Sequence, residues 1–209
     1  MKLSPPRTSE QIKVSFPAEH VLLITFSRPK SLNAMGAQMT RDMRDVLNWF
    51  DAEPSLWVII VTGTGRAFCA GADLKAWNDE QQSGDSSEQE RSATDIYGFG
   101  AISRRVSSGK PIIAAVNGLA MGGGVEMLTN CDIVVASEEA KFALPEVKRG
   151  VVAVAGGIPR LARTSGHQVS CRNLYAESPL NHTPMQLASE LILTGKTISA
   201  TEARDRFRL

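Results

Sequence analysis

Cysteine, an excess of charge of one sign and long apolar runs are what this 209-residue chain has least of. Its three cysteines, Cys69, Cys131 and Cys171, make an odd number, and no two stand at C-x-x-C spacing. That excludes a disulfide-stapled scaffold and fits reduced thiols in an intracellular compartment. Lys plus Arg number 23 and Asp plus Glu 22, a net charge of +1. Such balance removes the electrostatic case for nucleic acid or an anionic membrane as the main partner. No apolar run is long enough to span a bilayer, and the N-terminal MKLSPPRTSEQ lacks the apolar core of a secretory signal. The three histidines form no H-E-x-x-H, and G-x-S-x-G is absent, which weakens zinc-protease and serine-hydrolase readings. Two glycine-rich stretches also fail. Gly63-Thr64-Gly65 has Phe68 where a dinucleotide turn needs its third glycine, and Gly195-Lys196-Thr197 has Glu190 where a phosphate loop needs its first.

What is present is a layered pattern. VLLITF (21–26), LWVIIVTG (56–63), PIIAAVNG (111–118) and CDIVVAS (131–137) are short runs rich in Val and Ile, bounded by turn or polar residues, and predict buried strands. Between them, apolar residues at 39, 43, 46, 47 and 50 predict a helix over 36–50, and 96–106 is a second helix candidate. Strands alternating with helices predict an α/β fold. The polar run NDEQQSGDSSEQERS (78–92) reads as a mobile surface loop, either a tolerated insertion or a substrate lid.

Three stretches carry chemistry. MGGGVEM (121–127) sits between a strand and a short helix. Glycine lets backbone approach a ligand closely, and N–H groups at a helix start lack intrahelical partners. Such donors can hold a developing oxyanion, with Glu126 beside them. A tight turn with a capping carboxylate is the plainer reading of the same residues. AFCAGADLKAW (67–77) is a second strand-to-helix turn that could supply another donor. ALPEVKRG (143–150) adds a second carboxylate, Glu146, and two carboxylates near one hole could handle two protons or hold one water.

These stretches, together with RPKSLNAM (28–35), KPIIAAVNGLAMGGGVEM (110–127) and FALPEVKRGVVAVAGGIPRLAR (142–163), closely resemble the crotonase superfamily, which holds the enoyl-CoA hydratases and isomerases. The resemblance runs from Val21 to Arg163 and resumes at LASELILTGKTISATEARDRF (187–207). It implies a crotonase (ClpP-like) spiral of β-β-α turns with a C-terminal helical region that builds homotrimers or dimers of trimers. It implies an acyl-CoA thioester as substrate, with no cofactor beyond the coenzyme A that the substrate carries. The thioester oxygen would be held by the N–H groups of Ala72 and Gly123. Glu126 would activate water for attack at Cβ, and Glu146 would deliver a proton to Cα. Lys30, Leu32, Ala34, Ala70, Asp73, Leu74, Gly122 and Pro145 match substrate- and CoA-binding positions; Lys30 is equally readable as a solvated loop lysine.

Two departures from the family pattern set expectations about organisation. Residues 1–163 read as the crotonase core, 164–186 as an atypical insertion and 187–209 as the start of a truncated C-terminal helical region. Within the insertion, Val169 to Gln186 has Pro179 and Pro184, little periodicity and codon borders compatible with a translated intron, the favoured reading over a genuine surface insertion. The family continues past Phe207 with more helices, so loss of acyl-pocket cover and exposed apolar surface are expected. The leading functional expectation is an enoyl-CoA hydratase, placed in fatty-acid β-oxidation or in a specialised pathway. Alternatives are an enoyl-CoA isomerase, a carnitinyl-CoA-type dehydratase, or a truncated non-catalytic acyl-CoA-binding chain. Peroxisome, mitochondrion and cytosol all remain open as compartments.

Overall fold

The computed structural model describes residues 3–83, 94–106, 109–164 and 184–207. Two sheets form the frame. The larger has the order β1-β2-β3-β5-β7, built from β1 (Ile12–Ala18), β2 (Val21–Phe26), β3 (Val58–Gly63), β5 (Ile112–Val116) and β7 (Ile133–Ala136). Only β1 runs antiparallel; β2, β3, β5 and β7 are parallel neighbours. The smaller sheet has the order β4-β6-β8-β9, from β4 (Ala67–Cys69), β6 (Leu119–Met121), β8 (Lys141–Ala143) and β9 (Ile198–Ser199).

The apolar runs form strands because β-branched side chains suit a pleated surface, and their period of two selects one buried face. Leu22, Ile24 and Phe26 of β2, Ile59 and Val61 of β3, and Ile112, Ala114 and Val116 of β5 all turn into the core. Helix α1 (Ala37–Ala52) covers that face with Met39, Met43, Val46, Leu47 and Phe50, the helical spacing expected from sequence. Its buried Asp42 accepts from the backbone N–H of Ser9 at 3.0 Å, so the polar group inside the interface has a partner.

The chain repeats one unit. A strand of the large sheet is followed by a strand of the small sheet and then by a helical turn. Thus β3 leads to β4 and α2 (Leu74–Ser83), β5 leads to β6 and α3 (Gly123–Leu128), and β7 leads to β8 and a 3-10 turn (Pro145–Arg149). This is the β-β-α spiral that the resemblance implied. Because β4, β6 and β8 pair in parallel, with Cys69 opposite Ala120 and Met121 opposite Ala143, their C-terminal ends lie side by side.

Two expectations about local structure change. The 96–106 candidate is a 3-10 turn (Phe99–Ala101) flanked by irregular backbone, not a regular helix. Gly98, Gly100 and Ala101 take φ of 67°, 60° and 56°, and a Cβ at Gly100 would stand 2.4 Å from Met127 Sδ. Close approach to α3 therefore wins over the helical pattern. The polar run from Asn78 continues α2 as far as Ser83, since Asp, Glu and Gln do not end a helix merely by being polar; 84–92 lies outside the described residues. So do 165–183, most of the segment expected as an insertion, while its last residues, Pro184 to Gln186, begin helix α4 (Pro184–Thr194). No described helix is long and apolar enough to cross a membrane.

Asn33 ties the loop before α1 to the turn between the sheets. Fully buried, it donates through Nδ2 to the carbonyls of Thr64 (3.0 Å) and Ala67 (2.8 Å), and its Oδ1 accepts from Arg28 N–H at 2.8 Å. Asn33→Ala is expected to lower unfolding free energy by about 2–3 kcal/mol, because buried backbone groups lose their partners. Urea unfolding of both proteins measures it.

Candidate active site

The three adjacent turns converge on one cavity of about 390 Å³. The first supplies Ala70, Gly71, Ala72 and Leu74; the second Met121, Gly122, Gly123 and Glu126; the third Pro145 and Glu146. Trp77, Phe99, Val151, Val152, Val154 and Ala155 close much of the rest, and Lys148 and Arg149 stand exposed at its edge.

The triple glycine has a steric cause at each position. Gly122 has φ of 52°, and a Cβ there would stand 3.0 Å from Glu146 Oε1. At Gly123 it would stand 2.5 Å from the Phe99 ring, and at Gly124 2.4 Å from the carbonyl oxygen of Cys69. Side chains are given up so that α3 can lie against β4 and leave room for the Glu146 carboxylate.

Two backbone donors face this space. Gly123 is the first residue of α3, so its N–H has no carbonyl within the helix. Ala72 forms a parallel bridge with Met35 in which Met35 N–H donates to Gly71 (2.9 Å) and Asp73 N–H donates to Met35 (2.9 Å). That pairing leaves the Ala72 N–H unused. The two turns touch: a Cβ at Gly71 would stand 3.4 Å from the Gly123 nitrogen.

The carboxylates differ in support. Glu126 is 4% exposed, and its Oε1 accepts from Gly157 N–H at 3.0 Å. Burial holds its pKa above the ordinary value, and the N–H groups of Gly157 and Ala155, the charge of Arg104 and the Gly156 N–H offset only part of that rise. Glu146 lacks such a cradle, and its Oε2 is buried without a hydrogen-bond partner. Burial pushes its pKa up to about 7; its own backbone N–H opposes this, and the Glu126 charge adds to it.

The remaining sequence candidates lie beside the cavity, not in its wall. Lys30 is exposed in the 3-10 turn Pro29–Ser31. Leu32 accepts through its carbonyl from Ala70 N–H at 3.0 Å, and buried Ala34 follows in the same loop. Asp73 turns its side chain to Arg28, 2.8 Å away, and to the first N–H groups of α2. Burial alone would raise its pKa, but Arg28 and those N–H groups hold it below the ordinary value. Its side chain thus locks the 28–34 loop against the first turn. Sequence reasoning did not single out Trp77, Phe99, Val151, Val152, Val154 or the Gly157 donor. Trp77, the valines and Gly157 stood inside quoted motifs; Phe99 carries no signal of its own, because only the folded chain brings it here. Among the described residues no three His, Cys, Asp or Glu side chains stand together to hold a metal ion. Cys69 and Cys131 are free thiols that burial pushes up to about 12.

A family model described as enoyl-CoA hydratase/isomerase matches residues 17–181. The chain belongs to the enoyl-CoA hydratase/isomerase family. It is 46% identical over 189 residues to the mevalonyl-coenzyme A hydratase sidH of Aspergillus fumigatus, covering 90% of this chain and 61% of that relative. It is 45% identical to the mevalonyl-coenzyme A hydratase SIDH of Beauveria bassiana, over 95% of this chain and 65% of that one. The chain therefore spans less than two thirds of either relative. The crystal structure of an enoyl-CoA hydratase from Mycobacterium tuberculosis superposes with a TM-score of 0.75 at 33% identity, covering 95% of this chain and 67% of that one. The family's hydratase/isomerase fold is thus shared across the described core.

The coupling of the two carboxylates can be read directly. In Glu126→Gln, the Glu146 titration midpoint should fall from about 7 yet stay above the ordinary 4.5, because burial, its larger cause, remains. Carbon-13 NMR of side-chain carboxyls, compared with the parent protein, checks this.

Proposed function

We propose that this chain catalyses reversible hydration of the 2,3 double bond of a 2-enoyl-CoA thioester. The observation that carries the reading is the meeting, in one cavity, of the N–H groups of Ala72 and Gly123 with the carboxylates of Glu126 and Glu146. The thioester oxygen is held by the two N–H groups, and negative charge that grows on it as the enolate forms is stabilised there. A donor of this kind typically contributes about 3 kcal/mol to the barrier reduction. Glu126, cradled by backbone donors, is the carboxylate suited to stay ionised and take a proton from water attacking Cβ. Glu146, raised to about 7, is suited to carry the proton to Cα near neutral pH. Paired groups whose surroundings differ in this way divide acid and base work.

A pair of carboxylates favours hydration over double-bond isomerisation, which one carboxylate can perform. The names of the two fungal relatives and the compact cavity with Val151, Val152 and Val154 in its wall support a short, branched acyl group of the mevalonyl type. Exposed Trp57, Ile133 and Val135 at the large sheet support assembly into a homotrimer, as the resemblance implies.

Incubation of a 3-methyl-branched 2-enoyl-CoA in water enriched with oxygen-18 tests the reading. The expected product carries the label at Cβ. Unlabelled interconversion of 3-enoyl and 2-enoyl thioesters would support the isomerase instead, and no turnover would support a binding-only chain. Glu126→Gln and Glu146→Gln should each lower kcat by about 100- to 10,000-fold. The double variant should lose little more than the worse single one, since the two groups act as a unit.

A further inference from the structure

Glu126 is held by a turn, and that turn is held from behind by two side chains that do not line the cavity. Ser103 is fully buried. Its hydroxyl donates to the carbonyl of Ala155 at 2.6 Å and accepts from the backbone N–H of Phe99 at 2.8 Å. Arg104 donates through Nη2 to the carbonyl of Val154 and through Nη1 to the carbonyl of Asp95, the latter at 3.1 Å. The carbonyls of Val154 and Ala155 are thus pinned on one side of the turn. On the other side, the Gly157 N–H donates to Glu126 Oε1 at 3.0 Å, and the N–H groups of Ala155 and Gly156 lower the proton affinity of the same carboxylate. Gly156, at φ of 115°, lets the chain reverse there, and a Cβ on it would stand 3.0 Å from Arg104 Cγ. The same Ser103 hydroxyl anchors Phe99, whose ring covers Gly123. One buried hydroxyl therefore joins the wall behind the Gly123 donor to the cradle of Glu126.

We propose that Ser103 and Arg104 are positioning residues for Glu126. By fixing and polarising the peptide groups of Val154 and Ala155, they aim the N–H groups of Ala155 and Gly156 at its carboxylate and hold the turn that presents the Gly157 N–H to it. A hydrogen bond to a carbonyl makes the N–H of the same peptide a better donor, and charged-group hydrogen bonds are the strong ones. The charged groups facing Glu126 are Glu146 from the 145–149 turn and Arg104, with Arg160 beyond Gly156. The proposal rests on the hydratase reading for its kinetic consequence, but its titration consequence stands without it.

The test uses the full chain and four variants: Ser103→Ala, Ser103→Thr, Arg104→Met and Arg104→Lys. The Glu126 carboxyl resonance, identified by its loss in Glu126→Gln, is titrated by carbon-13 NMR, and circular dichroism confirms that each variant is folded. Removing either brace should move the Glu126 midpoint up by about one unit, a tenfold change in its proton affinity. Ser103→Thr and Arg104→Lys should restore most of it. With hydration of a 3-methyl-branched 2-enoyl-CoA as readout, the acid limb of the kcat/KM profile should move up with the midpoint. An unchanged midpoint in folded Ser103→Ala and Arg104→Met would overturn the proposal, whether or not activity falls. If the midpoint moves while no variant or parent hydrates the thioester, the positioning role stands and the hydratase reading fails. If Ser103→Ala and Arg104→Met do not fold, Ser103→Cys and Arg104→Gln take their place, and an unchanged midpoint in both overturns the proposal.

Discussion

Parallel pairing of three very short strands is the constraint on which this molecule depends. Strands β4, β6 and β8 have three residues each, too few to bury much surface by themselves. Their value is registration. Each is the second strand of a β-β-α unit, so pairing them in parallel sets three helix-entry turns abreast at one edge. Donors and carboxylates far apart in sequence then open into one space. The large sheet and α1 supply the apolar burial that keeps the short sheet in place.

Within that space, sterics and electrostatics act together. The triple glycine lets backbone lie where side chains would otherwise stand, which exposes N–H groups and admits the Glu146 carboxylate. Burial then penalises the charge on both glutamates, and the protein answers the penalty unequally. Glu126 receives backbone donors and a nearby guanidinium; Glu146 keeps an unpartnered oxygen. In the proposed reaction this inequality is what suits one carboxylate to act as base and the other as acid.

Much of the frame was legible in the sequence. The Val- and Ile-rich runs at 21–26, 56–63, 111–118 and 131–137 correspond to β2, β3, β5 and β7, and the spacing of Met39, Met43, Val46, Leu47 and Phe50 to α1. The three-residue strands carry too little pattern for periodicity to find, and they were visible only as lead-ins to motifs. The helix expected at 96–106 failed because Gly98 and Gly100 serve close packing that no local pattern reveals. In the site, MGGGVEM and ALPEVKRG pointed to the glutamates that the structure brings together. Ser103 and Arg104 had no sequence signal, since their partners lie about fifty residues away along the chain, and Gly157 stood inside a quoted motif whose pattern does not show that it donates to a carboxylate about thirty residues away. Asp73 shows the opposite case: a residue inside a strong motif whose side chain serves the scaffold through Arg28.

The central claim is that the Ala72 and Gly123 N–H groups hold a thioester oxygen beside the two glutamates. Infrared difference spectroscopy of a bound 2-enoyl-CoA, with and without carbon-13 at the thioester carbonyl, tests it most directly. A carbonyl stretch moved to lower frequency than in the free thioester, and kept in Glu146→Gln, is the predicted result. A bound carbonyl that absorbs at the frequency of the free thioester would contradict the account.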